Sequence, residues 1–136
     1  MASVRIAVVL AGLLVIGLCS AARAQAPRAC VKDARAALDA LWLAAFGPDA
    51  TVEGPKTVQE IEREALAEIA KCAHCPQKPF GYQHAEWEQF KRLMRADDCV
   101  VFFRSNAASW QGLFGREGYA LVRNGRVVQW LLTSLS

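Results

Sequence analysis

The stretch that decides the fold is Tyr119-Ala-Leu-Val-Arg-Asn124-Gly125-Arg-Val-Val-Gln-Trp-Leu-Leu132, near the end of the chain. Two runs of residues with high β propensity flank the Asn124-Gly125 dipeptide. Type I′ turns prefer this dipeptide because both of their central residues take a positive φ. The stretch therefore predicts an antiparallel β-hairpin with a two-residue turn.

A two-residue turn also predicts which residues of the hairpin face each other. Counting outward from the turn, Arg123 faces Arg126 and Tyr119 faces Trp130. One face of the hairpin then carries Tyr119, Leu121, Val128, Trp130 and Leu132. We expect this face to bury against helices. The other face is also largely apolar, and we expect it to be partly covered or to serve as a contact surface.

Upstream of the hairpin, Val100-Val-Phe-Phe103 is a short, wholly apolar run of residues that favour strands. It predicts a third strand, Val100–Arg104, in the same sheet as the hairpin. The connection from this strand to the hairpin contains several small residues, and a helical turn is expected within it at Ser109–Phe114.

Three helical patterns precede the strands. Ala29–Phe46 is rich in Ala and Leu, with apolar residues at three- and four-residue steps, and Asp49–Lys56 after it is a predicted polar loop. Thr57 begins the second helix, because Thr57 and Glu60 form a capping-box pattern. His84–Arg95 is the third helix. The expected fold class is α+β, with three N-terminal helices packed on a short three-stranded antiparallel sheet that ends in a β-hairpin.

The first 24 residues have the pattern of an export signal. Arg5 precedes the uncharged run Ile6–Leu18, and Ala22-Arg-Ala24 has the small residues that signal peptidase requires. The run is shorter than the about 20 residues of a membrane span, although an uncleaved anchor is an alternative. We therefore expect a cleaved signal peptide at residues 1–24 and a single disulfide-stabilised domain at residues 25–136.

The composition limits the class of protein. A chain of 136 residues and 14.9 kDa has room for one small domain, which excludes a two-domain enzyme or an eight-fold βα barrel. The net charge of +3 falls to +1 when Arg5 and Arg23 are removed, so no basic stripe for nucleic acid remains. The expected location is periplasmic or secreted, without stable membrane insertion after cleavage.

Four cysteines remain in the expected mature chain, at Cys30, Cys72, Cys75 and Cys99. An even number in an exported domain indicates disulfides, and four cysteines allow three pairings that the sequence leaves open. Cys72-Ala-His-Cys75 also has the spacing of a thiol–disulfide exchange site, although the following Pro76 and the preceding helix reverse the usual context. Metal binding is a further alternative, but the chain has only one such paired ligand motif.

Candidate binding residues lie in and near the two connections between strands. The loop after the first strand combines hydrogen-bonding groups with a large aromatic side chain, a composition suited to interfaces. The hairpin turn brings Arg123 and Arg126 together. Two positive charges this close are favourable only when water solvates them or an anion binds between them. The predicted binding residues are Arg104, Trp110, Arg116, Arg123 and Arg126. The competing interpretation places Trp110 in the core and both turn arginines in solvent.

The sequence contains no catalytic or phosphate-binding motif of the common classes, such as GxSxG, HExxH or a P-loop. It favours an exported, non-enzymatic binding or accessory protein without a cofactor, of which an inhibitor or immunity-type module is one form. The expected partner is a protein or an anionic macromolecule in the envelope, and not a nucleic acid. The alternative function is a thiol–disulfide oxidoreductase that uses Cys72 and Cys75.

Overall fold

The computed structural model of the chain describes residues 30, 34–36, 38 and 50–135. Residues 30, 34–36 and 38 are helical, in agreement with the predicted first helix, whose remaining residues lie outside the described part. The predicted signal peptide also lies outside the described residues. The helix is tied to the rest of the domain by a disulfide between Cys30 and Cys99.

The described residues form a mixed structure of helices around one antiparallel sheet. The sheet has four strands, in the order β1, β2, β3, β4, and not the three that the sequence predicts. The strands are β1 Thr51–Glu53, β2 Cys99–Arg104, β3 Arg116–Arg123 and β4 Arg126–Leu135.

The unpredicted strand is β1, which lies in the segment predicted as a polar loop. Its three residues pair with the second half of β2, from Thr51 opposite Arg104 to Glu53 opposite Phe102. A segment of this length, followed directly by Gly54-Pro55, carries too little local β signal to be recognised. Pairing with β2, which is 45 residues or more away in the chain, creates the strand.

The hairpin turn is confirmed, but the predicted register holds only next to it. Asn124 and Gly125 both have positive φ, as a type I′ turn requires, and Arg123 faces Arg126. The register then shifts between Leu121 and Val122, so Tyr119 faces Leu131 and not Trp130. A second shift follows between Glu117 and Gly118.

The first shift exchanges the faces of β4, because an extra residue in one strand reverses the alternation of side chains beyond it. Val128 and Trp130, predicted to be buried with Tyr119, are 43% and 40% exposed. Leu131 takes the buried place instead. The prediction for this face of the hairpin is therefore correct for β3 and wrong for β4.

Three α-helices lie in the continuous part of the described chain, α1 Val58–Ile69, α2 His84–Leu93 and α3 Ala107–Gln111. The capping box of α1 is confirmed, since Thr57 accepts from the Glu60 N–H and Glu60 accepts from the Thr57 N–H. A single 3₁₀ turn, Gly81–Gln83, leads into α2.

Hydrophobic clusters lie on both faces of the sheet. On one face, which we call the helix-pair face, Ile61 of α1 and Trp87 and Phe90 of α2 pack against β2, β3 and β4. On the opposite face, Ala34 and Leu38 of the N-terminal helix pack against Val101 and its neighbours. The partial coverage expected for the second face is thus provided by that helix. No helix among the described residues is long and apolar enough to cross a membrane.

Candidate binding cleft

A cleft of about 790 Å³ opens between the C-terminal half of α1 and the helix-pair face of the sheet. Its sheet residues come from the ends of β2, β3 and β4 that lie away from the hairpin turn. α2 packs nearer the other end of the strands, where Val100 and Leu121 are buried. Ala65 and Ala67 of α1 leave space above the sheet because their side chains are small. The charged residues that line the cleft are Glu64, Glu68, Arg104 and Glu117.

Three aromatic rings form the floor and one wall of the cleft. The Tyr119 ring meets the Phe102 ring and the Phe80 ring edge-on, with centroid distances of 5.6 and 5.7 Å. Phe80 also packs on Trp87, at 5.2 Å between centroids. Edge-to-face contacts of this kind add to the energy of burial, so the aromatic floor is a fixed surface.

Phe80 is held in place by an unusual backbone conformation. Its φ is +63°, in the left-handed region that residues with a side chain rarely adopt, and Gly81 follows with a φ of +55°. A Cβ on Gly81 would meet Ile69 Cδ1 at 2.6 Å. The left-handed φ of Gly81 therefore favours glycine at this position, and the loop places the Phe80 ring at the cleft.

Glu64 connects the aromatic floor to a lysine at the rim. Lys56 Nζ lies 2.7 and 2.8 Å from the two carboxylate oxygens of Glu64, and 5.7 Å above the centre of the Phe102 ring. Tyr119 Oη donates to Glu64 Oε2 at 3.4 Å. Burial, together with the nearby Glu64 carboxylate, raises the pKa of Tyr119 far above its usual value, so the phenol stays neutral.

Two of the predicted binding residues, Arg104 and Trp110, meet beside the cleft. The Arg104 guanidinium lies 5.2 Å from the centre of the Trp110 ring, and its Nη1 is 3.1 Å from Glu117 Oε2 across the β2–β3 ladder. Trp110 is half-buried, and its ring lies over Gly115. Arg116, which follows Gly115 in the chain, donates from Nη1 to the Gly115 carbonyl oxygen at 2.9 Å. Arg104 and Glu117 line the cleft, and together with Trp110 they form a charged and aromatic border at one side of it.

The other two predicted residues, Arg123 and Arg126, lie at the far end of β3, about 23 Å from Arg116 by strand length. Arg123 turns away from Arg126 and binds Asp98, with Nε–Oδ1 and Nη2–Oδ2 distances of 2.7 and 2.6 Å. These hydrogen bonds hold the pKa of Asp98 below its ordinary value. The structure thus divides the five predicted residues between two places, and it gives Arg123 a structural partner.

The four cysteines are paired as Cys30–Cys99 and Cys72–Cys75. This pairing, one of the three that are possible, gives one bond between residues 69 apart in the chain and one between residues 3 apart. Disulfides are typical of proteins outside the reducing cytoplasm. No group of three or more His, Cys, Asp or Glu side chains in the described part of the chain is arranged to hold a metal ion.

Sequence reasoning missed the cleft itself. Glu64 has the pattern of a solvent-facing helix residue, and Phe102 and Tyr119 have the pattern of ordinary core residues. Their meeting depends on how α1 crosses the sheet, which no local pattern records. The small residues Ala65 and Ala67, which both line the cleft, are the one signal in the sequence that points to a space there.

The arrangement suits recognition of side chains that have an apolar body and a charged tip. Aromatic rings offer contact area at the floor, and ion pairs at the rim exchange partners at low cost because they are partly solvated.

No known protein family matches the chain, and no curated protein and no solved structure is similar to it.

Proposed function

We propose that the protein is a binding module, periplasmic or secreted, that holds a segment of a partner protein in the cleft. The observation that carries this proposal is the combination of an aromatic floor, Phe80, Phe102 and Tyr119, with charged groups at the rim. Pockets of this composition bury apolar groups and use a few polar contacts for orientation.

A protein partner fits the cleft better than an anionic macromolecule. Three of the four charged residues that line the cleft are carboxylates, at Glu64, Glu68 and Glu117. A segment with basic and apolar side chains would replace Lys56 or Arg104 as the partner of these carboxylates and would lie over the rings. An inhibitor or immunity-type module is one form of this proposal, in which the partner is an enzyme that loses activity when bound.

The test fills the cleft without disturbing the core. Ala67 lines the cleft and is exposed, so Ala67→Trp places an indole in the cleft. Ala70, at the end of the same helix, is exposed and outside the cleft, so Ala70→Trp is the matched control. Exported protein with each substitution is immobilised, and proteins captured from envelope extract are quantified by mass spectrometry.

We expect wild type and Ala70→Trp to recover the same partner, and Ala67→Trp to recover about tenfold less or none, which corresponds to at least about 1.4 kcal/mol of lost binding. Equal recovery by Ala67→Trp would move the binding surface away from the cleft. If none of the three proteins retains any partner, the binding-module proposal itself fails.

A further inference from the structure

The Cys72–Cys75 disulfide lies at the surface, in the loop between α1 and the 3₁₀ turn. Both cysteines are partly buried, and Ala73 and His74 between them are exposed. In the other disulfide, Cys99 is only 8% exposed and belongs to a hydrophobic cluster, and the partly buried Cys30 packs against that cluster. A dissolved or protein-bound thiol can therefore approach Cys72–Cys75 but not Cys99 without local opening.

The loop around Cys72–Cys75 is held by hydrogen bonds that do not depend on the disulfide. Gln77 Nε2 donates to the carbonyl oxygens of Cys72 and Cys75 at 3.3 and 3.0 Å. Tyr82 Oη donates to the His74 carbonyl at 3.0 Å, and the Cys75 N–H donates to the Cys72 carbonyl at 3.3 Å. These contacts keep the two sulfurs close together after the bond opens, so that it can form again.

The surroundings of the two sulfurs differ in charge. Cys72 follows the last turn of α1 and donates its N–H to the Ile69 carbonyl, so it lies at the negative end of the helix dipole. Lys71, which precedes Cys72, is paired with Glu68 at 2.6 Å, whereas Cys75 lies beside His74 and close in the chain to Lys78. A thiolate is therefore easier to form at Cys75 than at Cys72. This is the reverse of a thioredoxin-like site, in which the first cysteine opens a helix.

We propose that Cys72–Cys75 oxidises pairs of thiols in exported polypeptides, with Cys75 forming the mixed disulfide and Cys72 acting as the leaving group. A substrate thiolate attacks Cys75 Sγ, the Cys72–Cys75 bond breaks, and Cys72 leaves with the electron pair and takes up a proton. The second substrate thiolate attacks the substrate sulfur of the mixed disulfide and releases Cys75. Two electrons and two protons pass from the substrate dithiol to the protein, and the substrate becomes a disulfide.

The first experiment measures whether the bond exchanges under native conditions. The exported protein is equilibrated in glutathione buffers of graded redox ratio, free thiols are trapped by alkylation, and the state of each cysteine is read by mass spectrometry. We expect Cys72 and Cys75 to become free while Cys30 and Cys99 remain bonded. If both pairs open together, or if Cys72–Cys75 stays closed until the protein unfolds, the bond is only part of the scaffold and the proposal is wrong.

The second experiment measures which cysteine reacts. Cys72→Ser leaves Cys75 as the free thiol and Cys75→Ser leaves Cys72, so each variant is the control for the other. At pH 7 we expect the Cys72→Ser protein to react with glutathione disulfide about threefold faster than the Cys75→Ser protein, because of the helix dipole and the flanking basic groups. Equal or reversed rates would overturn the assignment of Cys75. Binding of a partner in the cleft is a separate property, which the capture experiment tests and which these two rates do not measure.

Discussion

The two disulfides of this domain are the same covalent group in two different settings. Cys30–Cys99 joins residues 69 apart in sequence and links the N-terminal helix to β2 over a buried cluster. Cys72–Cys75 joins residues 3 apart and lies at the surface. Sequence separation determines how far each bond restricts the unfolded chain, and burial determines how easily a thiol reaches its sulfur atoms.

The largest effect is expected from removal of the long-range bond. The double substitution Cys30→Ala and Cys99→Ala should lower the free energy of unfolding by about 4 kcal/mol, because the bond closes a loop of some 70 residues in the unfolded chain. Urea unfolding followed by circular dichroism measures the change. A loss below about 2 kcal/mol would mean that the helix is held mainly by packing of Ala34 and Leu38.

A slightly smaller effect is expected next to Cys99, at the ion pair of Asp98 and Arg123. The Asp98 side chain is 1% exposed and also accepts from the Arg95 N–H at 2.8 Å. Asp98→Asn should cost about 2–3 kcal/mol at pH 7, because charge-assisted hydrogen bonds are lost in a buried place. Urea unfolding measures this loss, and Asp97→Asn, on the exposed neighbouring residue, is the matched control.

The same pair predicts a dependence of stability on pH. Hydrogen bonds from Arg123 lower the folded-state pKa of Asp98 below 3.8, so the unfolded chain takes up its proton first as the pH falls. The contribution is complete above the unfolded pKa and is lost as the pH falls through the folded pKa. The stability difference between wild type and Asp98→Asn should therefore be constant from pH 7 to about pH 5 and shrink below about pH 4. A difference that grows toward low pH would contradict this assignment.

Removal of the short-range bond should have a smaller effect on stability. Cys72→Ala with Cys75→Ala should lower the free energy of unfolding by about 2 kcal/mol or less, because a ring of this size restricts the unfolded chain little. The urea experiment that measures the Cys30–Cys99 variant gives the direct comparison. If the two double variants lose equal stability, the contrast between a scaffold bond and an exchangeable bond disappears.

The smallest effect is expected from Gln77→Ala. Its amide donates to the carbonyl oxygens of Cys72 and Cys75, and a hydrogen bond of this kind contributes about 1 kcal/mol. The glutathione ratio at which Cys72–Cys75 opens should shift by less than about tenfold, with no change at Cys30–Cys99. A shift at both bonds would mean that the substitution acts on the whole fold and not on the loop.

The parts of the fold that the sequence predicts well are those that short-range chemistry determines. Thr57 and Glu60 cap their helix through contacts three residues apart, and Asn124-Gly125 supplies the two positive φ values of the turn. The parts that it misses depend on distant residues. β1 exists because β2 lies beside it, and the bulge at Val128 turns Leu131 toward Trp87.

The residues of the candidate site show the same difference between short-range contacts, which the sequence predicts, and long-range contacts, which it misses. Arg104 and Trp110 are close in the chain, and they do meet. The sequence predicts Arg123 as a binding residue together with them, but the buried carboxylate of Asp98 binds it at the other end of the strand. Glu64 and Tyr119, which are 55 residues apart, come together only through the crossing of α1 over the sheet. Residue types alone do not distinguish the predicted residues that meet at the cleft from those that do not, because both groups contain charged side chains.

The second register shift of the hairpin has a consequence for the recognition of relatives. At that shift a Cβ on Gly118 would overlap the carbonyl oxygen of Leu131, which is backbone and cannot move aside without breaking the ladder. A related chain that retains the same hairpin must therefore keep glycine there, together with Asn124-Gly125 at the turn. A glycine followed after five residues by Asn-Gly is thus the pattern that we expect chains with this hairpin to share.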